Sequence, residues 1–311
     1  MLESPAGLKG GGPILEVEDL EVVLEGRTLL SRVDLTLQAG RVTGILGPSG
    51  AGKTTLVRSL CGLVPWASGR LYLEGRERIR RGKGDWREVR KRVQPLFQDP
   101  GTALNPRKTL AAHLADPFRI LGKVPHRTAL SEAARRAGLD PELLDRFPGE
   151  LSGGERQRAA LARVLVLDPE VLLLDEPFSA LDPPLKEEMG DLVQDLARRE
   201  GKALVLVTHD LGDLLALAEE VGVLGGGRFL EWGSVRDVFQ APLHPWTAAL
   251  VDAYRNPAGP VPPWTLLAPP GEGCPFGRGC PRASKACLEK EPDLVEWEPG
   301  RWAACFHPLG E

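Results

Sequence analysis

The chain lacks any apolar run near the roughly 18 residues needed to span a bilayer. Its opening, Met1-Leu2-Glu3, is acidic and has neither the basic stretch nor the apolar core of a secretory leader. These absences predict a protein of the cytosol or of a membrane's cytosolic surface. A surplus of positive charge is also missing: 39 Lys and Arg face 43 Asp and Glu, for a net charge of -4. That balance excludes a nucleic-acid binder driven by bulk charge. No internal repeat is present, so the chain carries one copy of its working unit. Charge is absent altogether from residues 256–271, where Pro257, Pro260, Pro262, Pro263, Pro269 and Pro270 crowd together. Such a stretch reads as a stiff, extended linker.

What is present is unevenly spread. Gly 36 and Pro 28 amount to about a fifth of 311 residues, against a background of roughly 12%. A hydrophobic fraction of 42% nevertheless excludes a wholly disordered chain. The length suits one large or two modest domains. Of five cysteines, Cys274, Cys280, Cys287 and Cys305 fall in the tail. In a reducing compartment, clustered cysteines suit metal ligands or redox thiols better than disulfides.

Residues 1–13 are Gly-rich and patternless and read as a flexible arm. Val33, Leu35 and Leu37 alternate with polar residues, the period of a half-buried strand. Val42-Thr43-Gly44-Ile45-Leu46, Val171-Leu172-Leu173-Leu174 and Leu204-Val205-Leu206-Val207-Thr208 are short apolar runs separated by helix-length segments. Buried strands alternating with helices predict an α/β fold with a mostly parallel sheet. Residues 100–167 hold Ala- and Arg-rich helical stretches without a strong strand, and read as an inserted helical subdomain.

Gly47-Pro48-Ser49-Gly50-Ala51-Gly52-Lys53-Thr54-Thr55 follows the first of those apolar runs and opens a helical pattern. Glycines there let backbone N–H groups reach a phosphate, and the helix dipole favours its charge. Lys53 would reach the terminal phosphates, and the Thr54 hydroxyl would sit on Mg²⁺. Asp175 and Glu176 end a buried strand, where ligands of open α/β sheets bind. One acid suits the metal and the other a water nucleophile. Leu151-Ser152-Gly153-Gly154-Glu155 opens another helix and forms a second anion-suited N-terminus. A nucleotide held by another chain is a simple account of it.

These stretches, with Ser179-Ala180-Leu181-Asp182 and Thr208-His209-Asp210, occur in the order of an ABC-transporter ATP-binding subunit, which the chain resembles over residues 14–311. The resemblance implies a P-loop NTPase cassette over residues 14–240, with an antiparallel β region, and a small Cys-containing extension over residues 241–311. It implies ATP and Mg²⁺ as cofactors. Thr54, Gln98 and Asp175 would lie at Mg²⁺, Glu176 would be the general base, and His209 the switch histidine at the γ-phosphate. A second ATP-binding chain, identical or paralogous, would contribute Leu151, Ser152, Gly153, Gly154, Glu155 and Asp182 in trans. One departure stands out: where the family stacks adenine on an aromatic residue, Leu24 takes the place, and no Phe, Tyr or Trp lies between Ile14 and Gly47. Glu155 is a milder departure, since many relatives carry Gln.

Gln98-Asp99-Pro100 with Leu104-Asn105-Pro106-Arg107, Pro242-Leu243-His244-Pro245-Trp246-Thr247, and the cysteine-bearing tail resemble the oligopeptide, dipeptide and nickel importer branch. That branch implies two membrane permease subunits, an indirect solute-binding protein, a peripheral position on the cytoplasmic face of the membrane, and no nucleic acid. Peptide import leads, with nickel or another small solute as the alternative. A soluble ABC ATPase of DNA repair or translation is the reading from a different class. The cysteine gaps match no zinc-finger spacing, so a [4Fe–4S] cluster, Zn²⁺ and four packed thiols all stay open.

Overall fold

A computed structural model describes residues 12–97, 104–179, 181–256, 258–259 and 273–310. Gln98, nearly all of the expected arm and most of the proline-rich stretch lie outside them.

The described strands are β1 (Leu15–Leu24), β2 (Arg27–Leu37), β3 (Val42–Leu46), β4 (Ser68–Leu73), β5 (Arg76–Arg80), β6 (Lys83–Gly84), β7 (Val93–Leu96), β8 (Val171–Asp175), β9 (Ala203–Val207), β10 (Glu220–Gly225), β11 (Arg228–Ser234), β12 (Val295–Glu298) and β13 (Arg301–Ala303). They form an antiparallel sheet, β2-β1-β4-β5-β6, and a larger sheet in the order β12-β13-β11-β10-β3-β9-β8-β7. From β10 to β7 the larger sheet is parallel. Every residue of β3, β8 and β9 is buried, because helices cover both faces of a parallel sheet. In β2, Val33, Leu35 and Leu37 are buried in alternation, as the period of two requires.

The helices are α1 (Lys53–Leu60), α2 (Trp86–Arg92), α3 (Leu110–Ile120), α4 (Arg127–Arg136), α5 (Gly153–Leu165), α6 (Pro183–Arg198), α7 (Leu211–Leu217), α8 (Val235–Gln240), α9 (Pro245–Arg255) and α10 (Lys285–Glu289). Between β7 and β8 the described chain is helical, with 3₁₀ turns at Pro141–Asp145 and Pro148–Glu150. Leu110, Leu114, Ala133, Ala134, Leu161 and Leu165 pack there in one apolar cluster shared with the sheet face of β8 and β9.

The tail does not stand apart. Its β13 pairs with β11, with Glu231 opposite Ala303 and Trp232 opposite Trp302, and β12 pairs with β13. The join was not read from the sequence: tail and body share one sheet. The period-two alternation of Val295-Glu296-Trp297-Glu298 was the available signal. Arg228 reinforces the join, donating to the Glu291 carboxylate at 2.8 Å and to the Pro292 carbonyl at 2.7 Å.

Glu231 anchors the start of the extension. Its carboxylate is buried and accepts the Leu243 N–H at 2.7 Å and the His244 N–H at 2.9 Å. Burial pushes its pKa from the ordinary 4.5 up to about 7, against the pull of those two donors. The folded chain therefore holds a proton that the unfolded chain has already released. The associated stability is full below pH 4.5 and is lost as pH rises through 7, by about 3 kcal/mol. Urea unfolding of Glu231→Gln should show a weaker decline than wild type between pH 5 and 8; parallel declines would contradict this.

Candidate ATP site

The site is built on the carboxyl ends of β3, β8 and β9. Gly47 leaves β3 beside the Leu224 carbonyl, which would lie 2.2 Å from a Cβ at this position. Gly52 sits at φ 105° as N-cap of α1 and tucks against Leu30, so the turn bends into the helix without a side chain in the way. Lys53 folds back over that turn. Its buried Nζ donates to the Gly47 carbonyl at 2.7 Å and the Pro48 carbonyl at 2.9 Å. Burial pulls the Lys53 pKa down, while the charges of Glu176 and Asp175 hold it up.

Asp175, the last residue of β8, is buried, which raises its pKa; the Thr54 hydroxyl donates to it and works the other way. Glu176 follows at φ 50°, the left-handed region that non-glycine residues seldom occupy. Its N–H donates to the Val207 carbonyl on β9 at 2.8 Å, which holds this conformation. The turn aims the carboxylate at His209 just beyond β9, with Nδ1 3.2 Å from Glu176 Oε1. Three separate stretches thus bring a lysine, two carboxylates and an imidazole together at the ends of β3, β8 and β9.

A family profile described as "ABC transporter" matches residues 30–179, and one described as "Oligopeptide/dipeptide transporter, C-terminal region" matches residues 230–287. A probable peptide ABC transporter ATP-binding protein of Sinorhizobium fredii is 36% identical over 316 residues, covering 94% of each chain. A putative peptide import ATP-binding protein of Brucella abortus is 36% identical over 285 residues, covering 86% of this chain and 84% of that one. This chain belongs to the ABC-transporter ATP-binding subunits. It is an ATP-hydrolysing cassette of the P-loop α/β class. Among solved structures, cbiO1 of Clostridium perfringens, part of an ABC transporter complex, gives a TM-score of 0.66 at 28% identity, covering 80% of this chain and 97% of that one. A bacterial ABC cassette in a dimeric post-hydrolysis state with ADP and phosphate gives 0.62 at 26% identity, covering 71% and 99%.

The Leu151–Glu155 stretch forms a fully capped helix start. Ser152 caps α5 by accepting the Glu155 N–H, and the Glu155 carboxylate accepts the Ser152 N–H at 2.7 Å and hydroxyl at 2.8 Å. This capping box holds the Glu155 pKa below the usual carboxylate range. Leu151 is buried beneath it, and Gly154 lies against Leu185 of α6. Asp182 caps α6 by accepting the Leu185 N–H at 3.0 Å. Leu24 lies 46% exposed at the β1–β2 hairpin, opposite Arg27.

Sequence reasoning missed Gln157. Buried in α5, it donates to the Pro177 carbonyl at 2.6 Å and so ties the signature helix to the segment after Glu176. A polar residue on a helix face otherwise buried as Ala160, Leu161, Val164 and Leu165 was the available signal. It also missed a groove of about 590 Å³ between the body and the helical stretch. Phe97, Ile120, Leu121 and Val164 line it, with Arg87 and Lys91 among its basic residues.

Cys274, Cys280, Cys287 and Cys305 converge on one small cavity beside His244 and Phe276, and none forms a disulfide. Burial pushes the Cys305 thiol up to about 11 and raises Cys274 as well. Among the described residues, no three Cys, His, Asp or Glu side chains are grouped to hold a metal ion. The expectation of zinc or an iron–sulfur cluster thus meets four thiols around one cavity but no grouped ligand set among the described residues.

Proposed function

We propose that this cassette is the energy-coupling subunit of a peptide importer, peripheral on the cytoplasmic face of the membrane beneath two permease subunits. The carrying observation is the convergence of Lys53, Asp175, Glu176 and His209 in a chain whose tail matches the oligopeptide/dipeptide transporter C-terminal region. The units of this reading are the cassette over residues 14–240, its helical insertion over 100–167, and the extension over 241–311.

Lys53 and the N–H groups opening α1 bind the β- and γ-phosphates. Thr54 and Asp175, already hydrogen-bonded, supply the hard oxygens that suit Mg²⁺, with Gln98 as a further ligand. Such sites take few protein ligands, since the nucleotide's phosphates and water complete the shell. When bound, the ion neutralises developing charge on the phosphates. Glu176 orients the attacking water and takes its proton, and His209 steadies the γ-phosphate beside it. A second ATP-binding chain, identical or paralogous, closes over the nucleotide with its own Ser152, Gly153, Gly154 and Asp182. Solute choice enters through the permeases and a solute-binding protein.

The groove at Phe97 and Ile120 is read as the permease dock, its apolar floor and basic rim matching a short amphipathic helix with acidic ends. ATPase assays should show stimulation by permeases with a peptide-loaded binding protein, and none by DNA or ribosomes. Ile120, 80% exposed in that groove, tests the dock: Ile120→Asp should cut stimulation about tenfold. Stimulation by nucleic acid, or full stimulation of Ile120→Asp, would count against the respective claims.

The aliphatic Leu24 offers no ring to the base, and stacking on an aromatic is worth roughly 1–3 kcal/mol per base. ATP and GTP should therefore bind with comparable affinity, and Leu24→Phe should tighten both about tenfold. Calorimetric titration checks this, and a strong wild-type preference for ATP would contradict it.

A further inference from the structure

A charged cluster beside His209 has no part in the mechanism above. Lys186 Nζ lies 2.7 Å from Asp210 Oδ2 and 2.6 Å from Asp213 Oδ1. Lys186 itself stands on the first turn of α6, which Asp182 caps. Asp210 caps α7, its Oδ1 accepting the Gly212 N–H at 2.8 Å. Thr208 Oγ1 accepts the Asp210 N–H at 3.0 Å and donates to Asp213 Oδ2 at 3.4 Å. Both chain neighbours of His209 are thus pinned into one network with Lys186 as its cation.

The network reaches the extension. Tyr254, in the last turn of α9, donates from its hydroxyl to Asp210 Oδ1 at 3.4 Å. Glycine at 212 permits that approach, since a Cβ there would lie 3.2 Å from the Tyr254 oxygen and 3.0 Å from Asp210 Oδ1.

The side chain of His209 is 67% exposed, so packing does little to fix its imidazole. Its place opposite Glu176 depends on the backbone between Thr208 and Asp210. Two carboxylates side by side repel each other, and Asp213 is buried, so without a cation between them that backbone would relax. We propose that Lys186 is a positioning residue for ATP hydrolysis: it holds His209 through Asp210 and Asp213, and Tyr254 links this clamp to the C-terminal extension. The proposal rests on the reading of His209 given above.

The test is steady-state ATP turnover of the full chain, with nucleotide affinity and thermal midpoint measured alongside. Lys186→Met should lower kcat about tenfold while KM for ATP stays within about twofold, and Lys186→Arg should recover most of the loss. Tyr254→Phe, which removes one hydroxyl from a side chain 45% exposed, should lower kcat about twofold with an unchanged thermal midpoint. In a His209→Ala background, Lys186→Met should add almost no further loss, because both act through the same imidazole. An unchanged kcat in Lys186→Met beside a collapsed kcat in His209→Ala would overturn the clamp and leave the site reading standing. An unchanged kcat in His209→Ala would overturn that reading and the clamp with it. Full additivity of the two losses would overturn the clamp, and an unchanged kcat in Tyr254→Phe would overturn its link to the extension.

Discussion

Glu176→Gln is expected to bind ATP at least as tightly as wild type, to hydrolyse it about 10²-fold more slowly or worse, and to accumulate as an ATP-bound dimer. The substitution keeps the size and hydrogen-bonding reach of the side chain, so the bend at φ 50° and the 2.8 Å bond to Val207 stay in place. What it removes is the capacity to take a proton from the attacking water. It also removes a negative charge beside the terminal phosphate, so the ground state tightens as the chemistry slows. Phosphate release under steady state gives the rate, and size-exclusion chromatography with and without ATP gives the assembly. Undiminished turnover would remove Glu176 from the mechanism and leave Asp175 as the nearest carboxylate for the role.

Gly47→Ala should lose nucleotide binding about 10²-fold or more and destabilise the fold by about 2–4 kcal/mol. The Cβ would meet the Leu224 carbonyl oxygen at 2.2 Å and the Ala51 side chain at 3.2 Å. Leu224 belongs to β10, where it pairs with Phe229 of β11 one residue past the last pairing with β3, Val223 opposite Leu46, so moving its backbone would disturb the sheet. The turn itself would have to move, taking with it the carbonyls of Gly47 and Pro48 that now receive Lys53. Thermal denaturation and nucleotide titration together check the claim. A variant with wild-type affinity and midpoint would show that the turn is far softer than this contact implies.

The nucleotide side of the molecule was legible in the sequence because its parts are contiguous. A phosphate cradle is made by nine successive residues, a capped helix by five, and a strand with two terminal acids by six. Each carries its chemistry locally, and the alternation of apolar runs with helices orders them around one parallel sheet. The features that escaped are those where distant residues meet. Lys186, Asp210, Asp213 and Tyr254 come from α6, α7 and α9, and nothing in their separate neighbourhoods marks them as a group. The union of tail and body escaped for the same reason: β13 finds β11 some 70 residues away in sequence, and a short strand pair gives a weak signal. The cysteines are a mixed case: crowding along the chain does bring all four to one cavity, while no three metal-binding side chains group there among the described residues.

The pairing of β13 with β11 also decides which strand faces solvent at the end of the large sheet. Without the extension that edge would be β11, whose Phe229-Leu230 run would offer open N–H and C=O groups to any passing chain. With it, the border is β12, Val295-Glu296-Trp297-Glu298, where acidic residues alternate with apolar ones. Charge on a border strand discourages edge-to-edge association. The appended tail therefore acts as a selvage for the catalytic sheet, and trimming the chain near residue 240 should raise its tendency to aggregate, as light scattering would report.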